Sequence, residues 1–175
     1  MSDETNRLAG LNKFNVQPGP HTVESYIAWI KQNALFFDAP YQRPYVWKKK
    51  QQQEFLETLL AGFPVGSIAI AKHTNWLAVD GPWLEVVDGK QRLMTLQKFI
   101  RSEIPFILNG RELYWDELNR SERGSFNRPY MPLITLVESS PKEILEYFIA
   151  VNFKGVPQSN KHKAAVMAMR GNHES

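Results

Sequence analysis

Residues Leu84–Leu93 constrain this chain more than any other stretch. An apolar run, Leu84-Glu85-Val86-Val87, ends at Asp88-Gly89 and gives way to Lys90-Gln91-Arg92-Leu93. The run reads as a strand over Trp83–Val87 and Asp-Gly as a tight turn. Leu93, Leu96 and Ile100 then recur at helical spacing, which predicts a helix over about Lys90–Arg101. Similar alternations fill the rest of the 175 residues. Interleaved strands and helices of this kind argue for one mixed α/β (α+β) domain, a small mixed sheet with flanking helices.

Residues 1–20 carry Pro, Gly, Asn and Gln without clear periodicity. They read as an extended arm with a short strand at Phe14–Val16, followed by a domain over 21–170 and a polar tail over 171–175. Thr22 is placed to cap a helix whose Val23, Tyr26, Ile27 and Ile30 share a face. A strand is expected at Leu35–Asp38. A glutamine run opens a second helix with Phe55, Leu56, Leu59 and Leu60 as its stripe, and Gly62 is its expected terminator. Further strands are expected at Val65–Ala71 and Leu133–Val137, and Asn109-Gly110 is a strong hairpin signal. Residues 116–127 read as a short helix and loop. Ser140-Pro141 begins a helix carrying Ile144, Leu145, Phe148 and Ile149, and Ser159 is placed to cap a last helix ending near Arg170.

Chemistry is suggested at two places. At Asp88–Arg92, free N–H groups at a helix start favour an anion, and Gly89 would let it approach the main chain. Helical side chains lean toward the N-terminus, so Arg92 would reach back to the same place as Lys90. Asp88 suits a divalent cation, or the orientation of water or a ribose. The same pattern also describes a helix start that Asp88 merely caps, with its basic residues solvated. At Tyr41–Trp47, Arg43 lies among Tyr41, Tyr45 and Trp47, between Pro40 and Pro44. These aromatics could stack on a base or over the guanidinium, or simply fill the core. Lys48-Lys49-Lys50 extends a run of cations that meets no acid before Glu54.

Taken together, Tyr41-Gln42-Arg43-x-Tyr45-x-Trp47 and Asp88-Gly89-Lys90-Gln91-Arg92, about forty residues on, resemble the domain-of-unknown-function 262 family. That family is the N-terminal domain of GmrSD-type modification-dependent restriction enzymes, in the ParB/sulfiredoxin-like superfamily. Gly62-Phe63-Pro64-Val65-Gly66 and the segment Asn152–Gly155 agree with it, so the likeness covers about residues 15–170. It implies a ParB/sulfiredoxin-like fold with a nucleoside triphosphate pocket, and Mg2+-dependent hydrolysis linked to DNA restriction or phage–host DNA metabolism. Asp88, Gln91 and Arg92 would then be catalytic, with Asp88 holding the metal. Gln42, Arg43, Trp47, Gly89, Lys90, Asn152 and Gly155 would hold the nucleotide. Lys90 departs from the family's usual Gln.

Two other classes stay open. One is a non-catalytic module, encoded by a phage or mobile element, that binds DNA or a nuclease or other restriction-system partner. The other is a ParB-like nuclease, which is disfavoured because no carboxylate or histidine cluster is visible. His21, His73, His162 and His173 form no pair at metal spacing and read as packing or surface residues. Glu85 falls opposite Asp88 if the strand is regular. The absence of cysteine excludes disulfides, zinc–thiolate sites and cysteine nucleophiles. No apolar run approaches a bilayer span and the N-terminus lacks a signal pattern, so a cytoplasmic protein is the simplest expectation. The net charge of +3 is compatible with a polyanion partner without establishing one.

Overall fold

The computed structural model describes residues 13–72, 82–153, 164 and 166–169. Five strands form one sheet in the order β1-β7-β3-β4-β2: β1 (Val16–Gly19), β7 (Leu133–Leu136), β3 (Ile68–Lys72), β4 (Leu84–Asp88) and β2 (Leu35–Phe36). The outer pair β1–β7 and the central pair β3–β4 are antiparallel, whereas β7–β3 and β4–β2 are parallel. A mixed sheet with flanking helices is the architecture that the interleaved pattern calls for.

Strand alternation divides the core into two layers. Ile68, Ile70, Leu84, Val86 and Leu133 point toward α1 (Val23–Lys31), α2 (Lys49–Leu60) and α3 (Lys90–Ile100). Ala69, Ala71, Val87 and Leu136 point the other way, toward Ile144, Leu145, Phe148 and Ile149 of α5 (Pro141–Phe153). Small alanines on that face leave room for α5 to pack across the sheet centre. The first layer is completed by a hairpin, β5 (Phe106–Leu108) and β6 (Arg111–Leu113), a single 3-10 turn at Trp115–Glu117, and α4 (Arg120–Asn127). In the hairpin turn Asn109 and Gly110 both take positive φ, 51° and 78°, as an Asn-Gly turn requires.

Helix ends follow local chemistry. At the end of α2, Gly62 has φ 78° and its N–H bonds Leu59 O, while Phe63 N–H bonds Thr58 O. This is a Schellman stop. Ser140 and Glu143 form a reciprocal capping box on α5. Those hydrogen bonds from Ser140 hold the exposed Glu143 carboxyl below its ordinary pKa. Thr22 sits at the N-cap of α1 but its side chain makes no capping bond.

Three elements differ from expectation. β1 lies later than Phe14–Val16 and includes Pro18, which is tolerated because β1 is an edge strand. β2 stops at Phe36. β3 begins at Ile68 rather than Val65, because the carbonyls of Val65 and Ser67 are turned to the Arg92 guanidinium. Ser159, most of the last expected helix, and His73, His162 and His173 lie outside the described residues. No helix among the described residues is long and apolar enough to cross a membrane.

Candidate functional site

The corner where β4 passes into α3 is open. A concavity of about 160 Å³ there is lined by Gln42, Arg43, Trp47, Asp88–Arg92, Phe148 and Asn152. Every site residue expected from sequence is among them except Gly155, which lies outside the described residues. Asp88 is the sole carboxylate of the lining, and no cluster of three metal-binding side chains occurs among the described residues.

A chain of mostly part-buried hydrogen bonds supports the corner. The Gln91 side chain accepts from Val46 N–H (2.9 Å) and Trp47 N–H (3.3 Å), and donates to Pro44 O (3.1 Å). Its amide thus stands in for a strand partner along the proline-stiffened segment. Gln52 donates to the Tyr45 hydroxyl (2.9 Å), which pairs with Thr95 Oγ1 (2.9 Å), and Thr95 donates to Gln91 O (2.8 Å). Gln42 closes the other side, donating from Nε2 to Val86 O (2.8 Å) and Val87 O (2.9 Å), where β2 has ended. Both glutamines expected at the site hold backbone.

Arg92 is likewise engaged within the protein. Nη1 donates to Val65 O (2.6 Å), and Nη2 donates to Ser67 O (2.9 Å) and Asp88 Oδ2 (3.0 Å). The side chain is only 15% exposed. Burial pushes the guanidinium pKa down, and the Asp88 carboxylate offsets this in part. Gly66 and Gly89 make room for it. Gly66 has φ 82°, and a Cβ there would stand 2.6 Å from Arg92 Nη1. Gly89 has φ 93°, and its Cβ would meet Ile68 Cδ1 at 2.3 Å. Backbone conformation and interior packing therefore already require glycine at 89.

Lys90 is 7% exposed, with Nζ 3.5 Å from the solvent-facing carboxylate of Asp38. Arg43 differs from both. It is exposed at the rim and makes no hydrogen bond or ion pair among the described residues. No side chain caps the first turn of α3. Asn152 lies inside α5, and its Nδ2 bonds Phe148 O at 3.0 Å.

The aromatics of the upstream motif take separate roles. Tyr41 is buried, bonds the Glu85 carboxylate and packs on Phe148, with ring centroids 4.7 Å apart. Its hydroxyl pKa rises steeply through burial and the adjacent Glu85 charge. Trp47 lines the concavity while packing on Phe55. Glu85 and Asp88 are not on plainly opposite faces, because β4 is irregular. Its register against β3 shifts between Ala69 and Ile70, and Asp88 shares the concavity with Phe148 and Asn152 of α5. His21 packs against Trp29 and Tyr26, as a packing role implies.

Against known proteins, the family described as the GmrSD restriction endonuclease N-terminal domain matches residues 23–165. The chain belongs to that family. The likeness read from Tyr41–Trp47 and Asp88–Arg92 is thereby borne out, and both motifs of this GmrSD-type domain line one concavity. No curated protein matches. A solved structure of the C-terminally truncated chromosome-partitioning protein ParB from Caulobacter crescentus, complexed with CTP-gamma-S, is similar at 11% identity with a TM-score of 0.44. The match covers 90% of this chain and 65% of the ParB chain, a little under two thirds.

Sequence reasoning missed Phe148 as a wall of the site, Asp38 as the partner of Lys90, and Gln52 as a support. Gln52 was detectable: with Phe55, Leu56 and Leu59 it completes an i, i+3, i+4, i+7 stripe, so the helix buries an amide.

Proposed function

We propose that the concavity takes the phosphates of a nucleoside triphosphate together with Mg2+, and that binding and hydrolysis serve a DNA-restriction system through a nuclease or other partner. The observation that carries this reading is Arg43, an uncommitted cation in the same concavity as Asp88 and a helix start that no side chain caps. At about 160 Å³ the space lies below the ~300–1,000 Å³ of whole-ligand pockets. It suits phosphates better than a whole nucleotide, leaving the base on the open rim by Trp47. Arg43 would supply the phosphate contact, with Arg92 as a positioning residue that orients Asp88. One carboxylate is a fair donor set for Mg2+, which commonly completes its shell with water and phosphate oxygens.

Binding without turnover is the second reading, favoured by the commitment of Gln91 and Arg92 to internal bonds. Calorimetry with ATP, GTP and CTP, with and without Mg2+, tests binding, and phosphate release separates the two readings. Arg43→Gln should keep the melting temperature. It should weaken binding about 10- to 150-fold, the equivalent of a charged hydrogen bond of about 1.5–3 kcal/mol. No heat with any of the three nucleotides, or unchanged affinity in the variant, refutes the phosphate site.

A further inference from the structure

Helix α4 turns Phe126 inward and sets Arg120, Arg123, Gly124, Asn127 and Arg128 along one side of a groove of about 800 Å³, facing Glu24 of α1. The spacing i, i+3, i+4, i+7, i+8 is a single helix face. Ordinarily such a face is a solvated mixture of charges, but this one carries three arginines against one carboxylate. It shares no residue with the β4–α3 concavity, so nothing below rests on the nucleotide reading.

Gly124 is the telling residue. It lies within the helix, has no positive φ, and a Cβ built there would meet no atom within 4 Å. Glycine inside a helix is destabilising relative to alanine. Neither the local backbone nor the packing requires it. What the missing side chain does is flatten the groove floor between the arginines. Arg123 is pre-positioned: its Nε donates to Trp115 O (3.2 Å), Nη2 donates to Asp116 O (3.1 Å), and the guanidinium lies 5.6 Å from the Trp115 ring centre. Arg128 donates only Nε, to Gly124 O (3.1 Å), and Arg120 makes no bond among the described residues, which leaves their forks for an outside acceptor.

We propose that this groove is a docking surface for the phosphate backbone of a nucleic-acid duplex. Arg120 and Arg128 are separated by about 12 Å along the helix axis. A duplex presents one charge per ~1.7 Å of its own axis, so several phosphates face that length. Guanidinium forks match phosphate oxygens bidentately, and the smooth floor at Gly124 admits the bulk of the sugar–phosphate chain.

The test is fluorescence anisotropy of the full chain with a labelled duplex of arbitrary sequence across a salt series. Binding should weaken with salt. Arg120→Gln/Arg128→Gln should lower the log–log slope by about 1.8, two phosphate contacts at ~0.9 each. Gly124→Ala should raise the melting temperature yet weaken binding several-fold, a combination that a merely structural glycine cannot produce. An unaltered slope in the double variant, or full affinity in Gly124→Ala, overturns the proposal. So does competition by polyglutamate as effective as unlabelled duplex, which would assign the groove to an acidic protein.

Discussion

Replacing Gly66 by alanine probes the support of the site with an internal control in the same loop. Gly62 and Gly66 have nearly equal φ, 78° and 82°, and both disfavour L side chains on conformational grounds. A Cβ in that region costs about 1–2 kcal/mol. At Gly62 no atom lies within 4 Å of the new carbon, so Gly62→Ala should lose that amount and no more. At Gly66 the carbon would stand 2.6 Å from Arg92 Nη1, the atom that donates to Val65 O. The guanidinium must move, and losing its charged hydrogen bond costs about 1.5–3 kcal/mol more. Gly66→Ala should therefore be destabilised by about 2.5–5 kcal/mol in all. Urea unfolding of the two variants reads the difference directly, with unchanged denaturant slopes as the check on two-state behaviour. In an Arg92→Ala background the second alanine should cost no more at 66 than at 62. Equal losses for the two single variants would refute the argument, since the Arg92 lock would then contribute nothing.

Gln91→Ala should cost about 1.5–4.5 kcal/mol, because three backbone groups at Pro44, Val46 and Trp47 lose their partner at ~0.5–1.5 kcal/mol each. The released segment should also shift Trp47 emission to the red, and an unshifted spectrum counts against the brace. Alkaline stability depends on Tyr41 and Tyr26, both buried with hydroxyl pKa values raised above 10.0, chiefly by burial. A phenol whose folded pKa is raised contributes its stability in full below the unfolded value and loses it as pH climbs beyond. Above pH 10 each should erode stability by about 1.4 kcal/mol per pH unit. Tyr41→Phe should flatten that decline by the same amount in alkaline melts, and an unchanged slope would show that Tyr41 ionises freely.

Legibility differed by the range of the forces involved. The Asn109-Gly110 hairpin, the Gly62 stop and the Ser140–Glu143 cap were readable because each depends on atoms within a few residues of one another. The stripes of α1, α2, α3 and α5 were readable for the same reason, since helical spacing alone gathers them on one side. The residues of the site were also legible: two motifs about forty positions apart named eight of its ten lining residues and the Asn152–Gly155 segment a ninth, missing Phe148. Their internal hydrogen-bond partners were not.

Arg92 looked like a ligand group because helical side chains lean toward the turn before them, and Gln91 did so through the family resemblance. Only the folded sheet brings Val65 and Ser67 carbonyls to the one and the Pro44–Trp47 backbone to the other. Those carbonyls and amides carry no sequence signature, as every residue has them, so no pattern of side chains announces where they will need a partner. The order of residues determined which elements form and which side chains gather at the β4–α3 corner. Tertiary packing decided which of their charges are spent on the protein's own main chain and left Arg43, at the rim, uncommitted.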